Sequence, residues 1–362
     1  MIVGVPKETA PGERRVALVP ETAGRLAKAG HQVVVEAGAG AAAGFPDAAY
    51  TAAGAANGDP WTADLLALVQ EPSAESIGRI REGATVVGML KAATNPDLLR
   101  RLAERRITAF SLELVPRITR AQAMDVLSSQ ATIAGYKAVL LAAEVSPKIF
   151  PMLVTAAGTL APARVLVLGA GVAGLQAIAT ARRLGAVVSG FDVRPAVKEQ
   201  VESLGAKFLA MENQVTGEGA GGYAKELSAD QHQRELDFLA ASVRDQDVVI
   251  TTAAIPGKRA PVLITRAAVA GMRPGAIVVD LAAETGGNCE LTEPGTRRDH
   301  GGVVILGPLN LPASVPLHAS QMYSRNVATF VQHLVKDGRV QVDLADEITK
   351  ATCVTFEGKA RL

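Results

Sequence analysis

The residues with the most definite chemical potential lie in Val165-Leu166-Val167-Leu168-Gly169-Ala170-Gly171-Val172-Ala173-Gly174-Leu175, an apolar run that breaks into spaced glycines and resumes as a helix-forming segment. A strand, a tight turn and a helix start in this order suit a diphosphate. Gly169 makes the turn, Gly171 lets backbone approach the ligand, and Gly174 lets the helix pack closely on the strand. The N–H groups of the first helical turn then face the phosphates with partial positive charge. The next strand-like run ends in Asp192, about 20 residues beyond the turn, where a carboxylate accepts both hydroxyls of an adenosine ribose. Such an acid repels a 2′-phosphate and favours NAD(H) over NADP(H), although Arg194 nearby leaves NADP(H) open. A glycine turn in an ordinary α/β sheet is the plainer reading of the same residues.

A second chemical cluster is Arg117-Ile118-Thr119-Arg120-Ala121-Gln122-Ala123-Met124-Asp125-Val126-Leu127-Ser128, polar and set just before an apolar helical stretch. Gln122, Asp125 and Ser128 recur every third residue, so at a helix start they could converge with Arg117 on one ligand. Arginine and aspartate can fix each other, and a glutamine amide matches the donor and acceptor of a carboxamide. The alternative makes Asp125 or Ser128 a helix cap and leaves Arg117 in solvent.

Elements able to position these groups follow from composition and pattern. A chain of 362 residues suggests two domains of about 100–200 residues each. In the first third, strand-like runs at 2–5, 31–36, 63–69, 85–90 and 107–114 alternate with helical segments at 21–29 and 98–106, the latter opened by Asn95-Pro96-Asp97. Residues 128–144 read as a connecting helix, stopped at Ser146-Pro147. A second series of strands is expected at 164–168, 186–192, 207–210, 247–252, 276–281 and 302–306, the pattern of a doubly wound nucleotide-binding domain. Residues 212–223, with Gly217, Gly219, Gly221 and Gly222, are expected to form a mobile surface loop, and 320–334 a helix.

The balance of 37 Lys+Arg against 36 Asp+Glu excludes a bulk attraction to nucleic acid. The N-terminus lacks the pattern of a signal peptide, and the uncharged run from 165 to 181 falls short of the ~20 residues of a membrane span. Cys289 and Cys353 are too few for a disulfide framework or zinc site and fit a reducing compartment, the cytoplasm by default. His31, His232, His300, His318 and His333 have no metal-ligand spacing, so structural or solvated roles are expected and no metal is assigned; His318 stands nearest the expected cofactor site.

Taken with Phe191-Asp192-Val193-Arg194-Pro195, Gly221-Gly222-Tyr223-Ala224-Lys225-Glu226, the Ile250 to Lys258 run and the Asp280 to Glu290 run, these motifs resemble the NAD(H)-binding component of proton-translocating, Si/Re-specific NAD(P) transhydrogenases over essentially the whole chain. The resemblance implies an α/β fold of two Rossmann-like domains with parallel sheets, joined by a long helix, with the cofactor in the interdomain cleft. It divides the chain into an N-terminal domain, 1–127 completed by 311–362, and an NAD(H)-binding domain, 128–310. It implies that Arg117, Gln122, Asp125 and Ser128 surround the nicotinamide and its ribose. Gly169, Gly171, Val172, Ala173, Gly174, Asp192, Val193 and Arg194 would hold the rest of the dinucleotide, with Gly222 in the same set and Ala254 near the adenine. Tyr223 would close over the bound nucleotide. Hydride would pass between NAD(H) here and NADP(H) on a partner subunit, coupled to proton movement through membrane subunits. A chain ending at Leu362 suggests a split enzyme: a homodimeric cytoplasmic subunit attached to the inner membrane through its partners.

Gly4-Val5-Pro6-Lys7-Glu8 and Arg14-Arg15-Val16-Ala17-Leu18-Val19-Pro20 are similar to alanine dehydrogenase as well. In that family a lysine precedes Glu-Pro and a histidine supplies proton transfer; here Gln70 and Lys91 stand in those places, while Arg15 and the acid Glu284 remain. Gln70 cannot act as a base, and a lysine near its ordinary pKa of about 10.4 stays protonated at neutral pH. Transfer between two nicotinamides needs no proton donor, only the two C4 atoms at about 3–3.5 Å. An amino-acid dehydrogenase with displaced catalytic groups and a non-catalytic NAD-binding module remain the alternatives.

Overall fold

The computed structural model describes residues 1–211, 228–254 and 258–361; the expected loop at 212–223, with Gly222 and Tyr223, lies outside the described residues. Along the chain run β1 (Ile2–Val5), α1 (Pro20–Lys28), β2 (Gln32–Val35), α2 (Asp47–Ala52), β3 (Ala56–Asn57), β4 (Leu65–Ala67), α3 (Ala74–Arg79), β5 (Thr85–Gly88), α4 (Pro96–Glu104), β6 (Thr108–Ser111) and α5 (Val126–Val145). There follow β7 (Leu153–Thr155), β8 (Gly158–Leu160), β9 (Arg164–Leu168), α6 (Val172–Arg183), β10 (Val187–Phe191), α7 (Lys198–Ser203), β11 (Lys207–Phe208), α8 (Ala229–Val243), β12 (Val248–Thr251), α9 (Arg266–Ala270), β13 (Ile277–Asp280), β14 (Arg297–His300) and β15 (Val303–Leu306). The chain ends with α10 (Pro316–Leu334), β16 (Val335–Lys336), β17 (Arg339–Val340), α11 (Glu347–Thr352), β18 (Cys353–Phe356) and β19 (Lys359–Ala360). These elements form two compact units, Met1–Gln130 with Pro312–Leu362, and Ala131–Leu311.

In the first unit the sheet order is β19-β18-β6-β5-β4-β1-β2-β3, parallel from β6 to β3. The strands are short apolar runs because helices cover both faces, so alternation with polar residues is not needed. Val3, Val5, Leu18, Leu65 and Phe110 are buried there, and Phe330 of α10 meets Phe110 edge-on at 5.6 Å. Local signals start the helices: Pro20 opens α1, and Asn95 accepts the Leu98 N–H at 3.2 Å before Pro96 opens α4.

The second unit orders its strands β11-β10-β9-β12-β13-β15-β14, parallel except for β14. Its core is built from Val165, Val167, Ala177, Ile250 and Ile277, among others. Among the described residues the β7–β8 hairpin pairs only with itself, and it is exposed, with Val154 at 73% and Leu160 at 53%. α5 carries the chain from one unit to the other. It is the one helix among the described residues long and apolar enough, by composition alone, to cross a membrane, yet Ala138, Val139 and Ala142 on it are fully buried in the second unit's core.

Three departures have physical reasons. His300 closes an antiparallel edge strand, β14, that is absent from the expected series, because its Arg297-Arg298-Asp299-His300 sequence carries no apolar alternation to announce it. The strand expected over 207–210 shortens to two residues at the sheet edge. β18 and β19 extend the first sheet with antiparallel strands from the far end of the sequence, a pairing no local pattern encodes.

Candidate functional site

At the end of β9 the backbone turns through Gly169, whose φ of +94° suits glycine. A Cβ on Gly174 would sit 1.8 Å from the Gly169 carbonyl oxygen, so the first turn of α6 can lie on the strand end only as glycine. Around Gly171 the space is open, with nothing within 4 Å of a Cβ placed there. Among the described residues no side chain caps α6, whose first N–H groups are those of Val172, Ala173 and Gly174. Val172 is 40% exposed beside this opening. An open backbone cradle under a bare helix N-terminus fits a pyrophosphate.

Asp192 follows β10 and is 6% exposed. Its Oδ2 accepts the Ala170 N–H at 2.8 Å, which ties the acid to the glycine turn. The Arg194 guanidinium grips the same carboxylate through Nε at 2.9 Å and Nη2 at 2.8 Å, and the Arg194 backbone N–H adds a bond at 2.9 Å. The Asp192 carboxylate is therefore covered by Arg194, and any other donor reaches it only by displacing or sharing that side chain. Val193 is half-buried between them, and Ala254 is exposed just after β12. On α8 the buried Glu235 hydrogen-bonds His232 Nδ1 at 3.3 Å; burial pushes its carboxyl up, the His232 bond opposes this, and the Asp192 charge adds to the rise.

In the first unit the polar segment resolves into a 3₁₀ turn, Thr119–Met124, and the start of α5. Asp125 accepts the Ser128 N–H at 2.9 Å and the Ser128 hydroxyl at 2.6 Å, so the structure joins these two as a helix cap. Gln122 projects from the 3₁₀ turn rather than from the helix, and both it and Arg117 are exposed. Asn326 of α10 holds the turn by donating to the Ala123 carbonyl at 2.8 Å.

Arg15 and the positions where the dehydrogenases carry a lysine and a histidine, here Gln70 and Lys91, are also in this unit. Arg15, only 2% exposed, donates from Nε and Nη2 to Glu13 at 2.8 and 2.6 Å and from Nη1 to Gln130 Oε1 at 2.8 Å. Gln70 donates to Glu13 at 2.9 Å, and Lys91 pairs with Glu71 at 3.2 Å. Glu8 accepts the N–H groups of Val69 at 2.6 Å and Gln70 at 3.3 Å; burial pushes its carboxyl up to about 7 against those bonds. Glu284, in the second unit, accepts the Asn310 N–H at 2.7 Å. Glu13 and Gln130 had no signal in the sequence, since Gln130 meets Arg15 across 115 positions. Cys289 and Cys353 are buried, each thiol pushed up to about 11 chiefly by burial. Among the described residues no group of His, Cys, Asp and Glu could hold a metal ion.

Comparison with known proteins identifies the family. Residues 4–134 match the N-terminal domain and 138–362 the C-terminal domain of the family described as alanine dehydrogenase/PNT. The chain is 47% identical to a portion of NAD(P) transhydrogenase subunit alpha from Rhodospirillum rubrum, covering 99% of this chain and 97% of that polypeptide. It is 30% identical to the alanine dehydrogenase of Bacillus subtilis, covering 100% of this chain and 94% of that protein. The crystal structure of a transhydrogenase from Sinorhizobium meliloti superposes with a TM-score of 0.92 at 46% identity, each chain covered in full. The chain therefore belongs to the alanine dehydrogenase/PNT family, within its transhydrogenase alpha-subunit group.

Proposed function

We propose that this chain is the NAD(H)-binding subunit of a proton-translocating transhydrogenase, exchanging hydride with NADP(H) on a partner subunit while membrane subunits move protons. The observation that carries the choice over an amino-acid dehydrogenase is the Glu13–Arg15 pair. A substrate carboxylate needs an available cation, and here the retained arginine is satisfied by Glu13 and Gln130 in the interior. Gln70 cannot act as a base, and Lys91 is paired with Glu71.

The nicotinamide cofactor supplies the hydride; the residues bind and orient. Gly169, Gly171 and Gly174 with the α6 start receive the pyrophosphate, flanked by Val172 and Ala173. Asp192 receives the ribose once Arg194 yields, with Val193 and Ala254 beside the adenosine. Arg117, Gln122 and the Asp125–Ser128 cap orient the nicotinamide end, and Gly222 and Tyr223 complete the site. The domain limits 1–127 with 311–362, and 128–310, belong to the same reading, as does a peripheral cytoplasmic position at the inner membrane. A homodimer belongs to it too: the uncharged β7–β8 hairpin, with Val154 and Leu160 in water, offers an apolar surface to a second copy. Sedimentation showing only monomer at about micromolar concentration would remove the dimer.

The reading is tested with Gln122→Asn. A shortened amide still offers donor and acceptor but holds the ring about 1 Å out of place, so hydride transfer to NADP+ should fall by at least about ten-fold while NADH affinity changes by less than about two-fold. Equal losses in transfer and binding would contradict the positioning role.

A further inference from the structure

Asn288 is fully buried and lies in a turn to which neither the glycine cradle nor the polar segment of the first unit gives a task. Its backbone N–H donates to Asp280 Oδ2 at 2.8 Å. Its side-chain oxygen accepts the Ala253 N–H at 3.0 Å, and its NH2 group donates to the carbonyls of Ala253 at 2.8 Å and Pro261 at 2.7 Å. These partners decide which way the amide faces, because the turned-over form would set oxygen against two carbonyls and NH2 against an N–H. Asp280 is itself held by Thr251, Ala282, Cys289 and Thr292 in addition to Asn288.

Ala253 follows Thr252, whose hydroxyl donates to the Gly169 carbonyl at 3.0 Å. A continuous line of bonds therefore runs from Asp280 through Asn288, Ala253 and Thr252 to the first glycine of the turn. It crosses the point where the strand order reverses, between β9 and β12, which is where open α/β sheets bind their ligands. The contact has no slack: a Cβ on Gly169 would lie 2.6 Å from Thr252 Oγ1.

We infer that Asn288 and Thr252 are positioning residues for dinucleotide binding, with Asn288 fixing the 252–254 loop and Thr252 transmitting that position to the phosphate-binding turn. This rests on the NAD(H) reading given above. Alanine at 288 removes the amide and deprives the Ala253 N–H and the carbonyls of Ala253 and Pro261 of that partner. Those groups are then satisfied by moving toward water, and the loop moves with them relative to Gly169.

The test is calorimetric titration of the full chain with NADH, for the wild type and for Asn288→Ala, Thr252→Val, Thr252→Ser and Ile305→Ala. Kd should rise about ten-fold in Thr252→Val and up to about a hundred-fold in Asn288→Ala, as expected for buried polar groups left unpaired. Thr252→Ser keeps the hydroxyl and should bind within about two-fold of wild type. Ile305, buried in β15 of the same unit, provides the contrast: its truncation should lower Tm while leaving Kd within about two-fold. If Asn288→Ala fails to fold, the Thr252→Val and Thr252→Ser pair decides. Wild-type Kd in Thr252→Val, or equal weakening in Ile305→Ala, overturns the inference and leaves the NAD(H) reading intact. A wild-type chain that does not bind NADH overturns both.

Discussion

Both units wind their parallel strands in the same order, β3-β2-β1-β4-β5-β6 in the first and β11-β10-β9-β12-β13-β15 in the second, so each has a reversal point at which a ligand could sit. The two points are furnished differently. Beyond β9 and β12 lie glycines, open space at Gly171 and one acid, Asp192, which takes the Ala170 N–H and is held by Arg194. Beyond β1 and β4 the chain folds its own acid inward, and Glu8 takes the N–H groups of Val69 and Gln70 while Glu13 closes on Arg15. One turn keeps open space above its glycines, and the other is filled by two carboxylates, Glu8 and Glu13. Topology supplies a place for a ligand, and the residues of the first turn decide whether it is used.

The largest effect should come from opening the closed side. Glu13→Ala leaves a guanidinium buried without its carboxylate, and denaturant unfolding should show a loss of about 3–5 kcal/mol. Replacing both partners, Glu13→Leu with Arg15→Met, should recover all but about 1–2 kcal/mol. A double variant no better than the single would mean that the pair does more than neutralise itself. Closing the open side comes next: in Gly174→Ala the added Cβ meets the Gly169 carbonyl and pushes the helix from the strand, and NADH affinity should fall about a hundred-fold, about 2.7 kcal/mol. Affinity within a factor of three would contradict the close approach.

The smallest effect is a pH dependence on the closed side. Burial holds the Glu8 carboxyl at about 7 against an ordinary 4.5. A raised acid contributes stability that is fully present below the unfolded pKa and is lost as pH rises through the folded one. Tm should therefore fall by about 5 °C between pH 5 and 8 through Glu8, and Glu8→Gln should flatten that slope. Identical slopes would show that Glu8 is not the group responsible.

What the sequence disclosed follows the range of each interaction. The glycine turn and the helix start at Asn95 are local, and their meaning is carried by neighbours a few positions away. The Asp125–Ser128 cap was legible as one of two readings, and the structure shows that the cap forms. Gln130 beneath Arg15 and Asn288 beneath Ala253 were not legible, because each meets its partner only after the sheets assemble, across 115 and 35 positions. The Arg194 grip on Asp192 was readable only as a hint about cofactor choice, since spacing does not tell whether a nearby arginine covers an acid or leaves it open.

The most direct test of the proposed function combines the purified chain with membranes carrying an NADP(H)-binding partner and follows reduction of an NADP+ analogue by NADH, beside a parallel assay of the chain alone with alanine and NAD+. Hydride transfer should appear only when the partner is present, with no alanine-dependent reduction of NAD+. Alanine-dependent reduction by the chain alone, with no transfer between nucleotides in the presence of partner, would contradict that function.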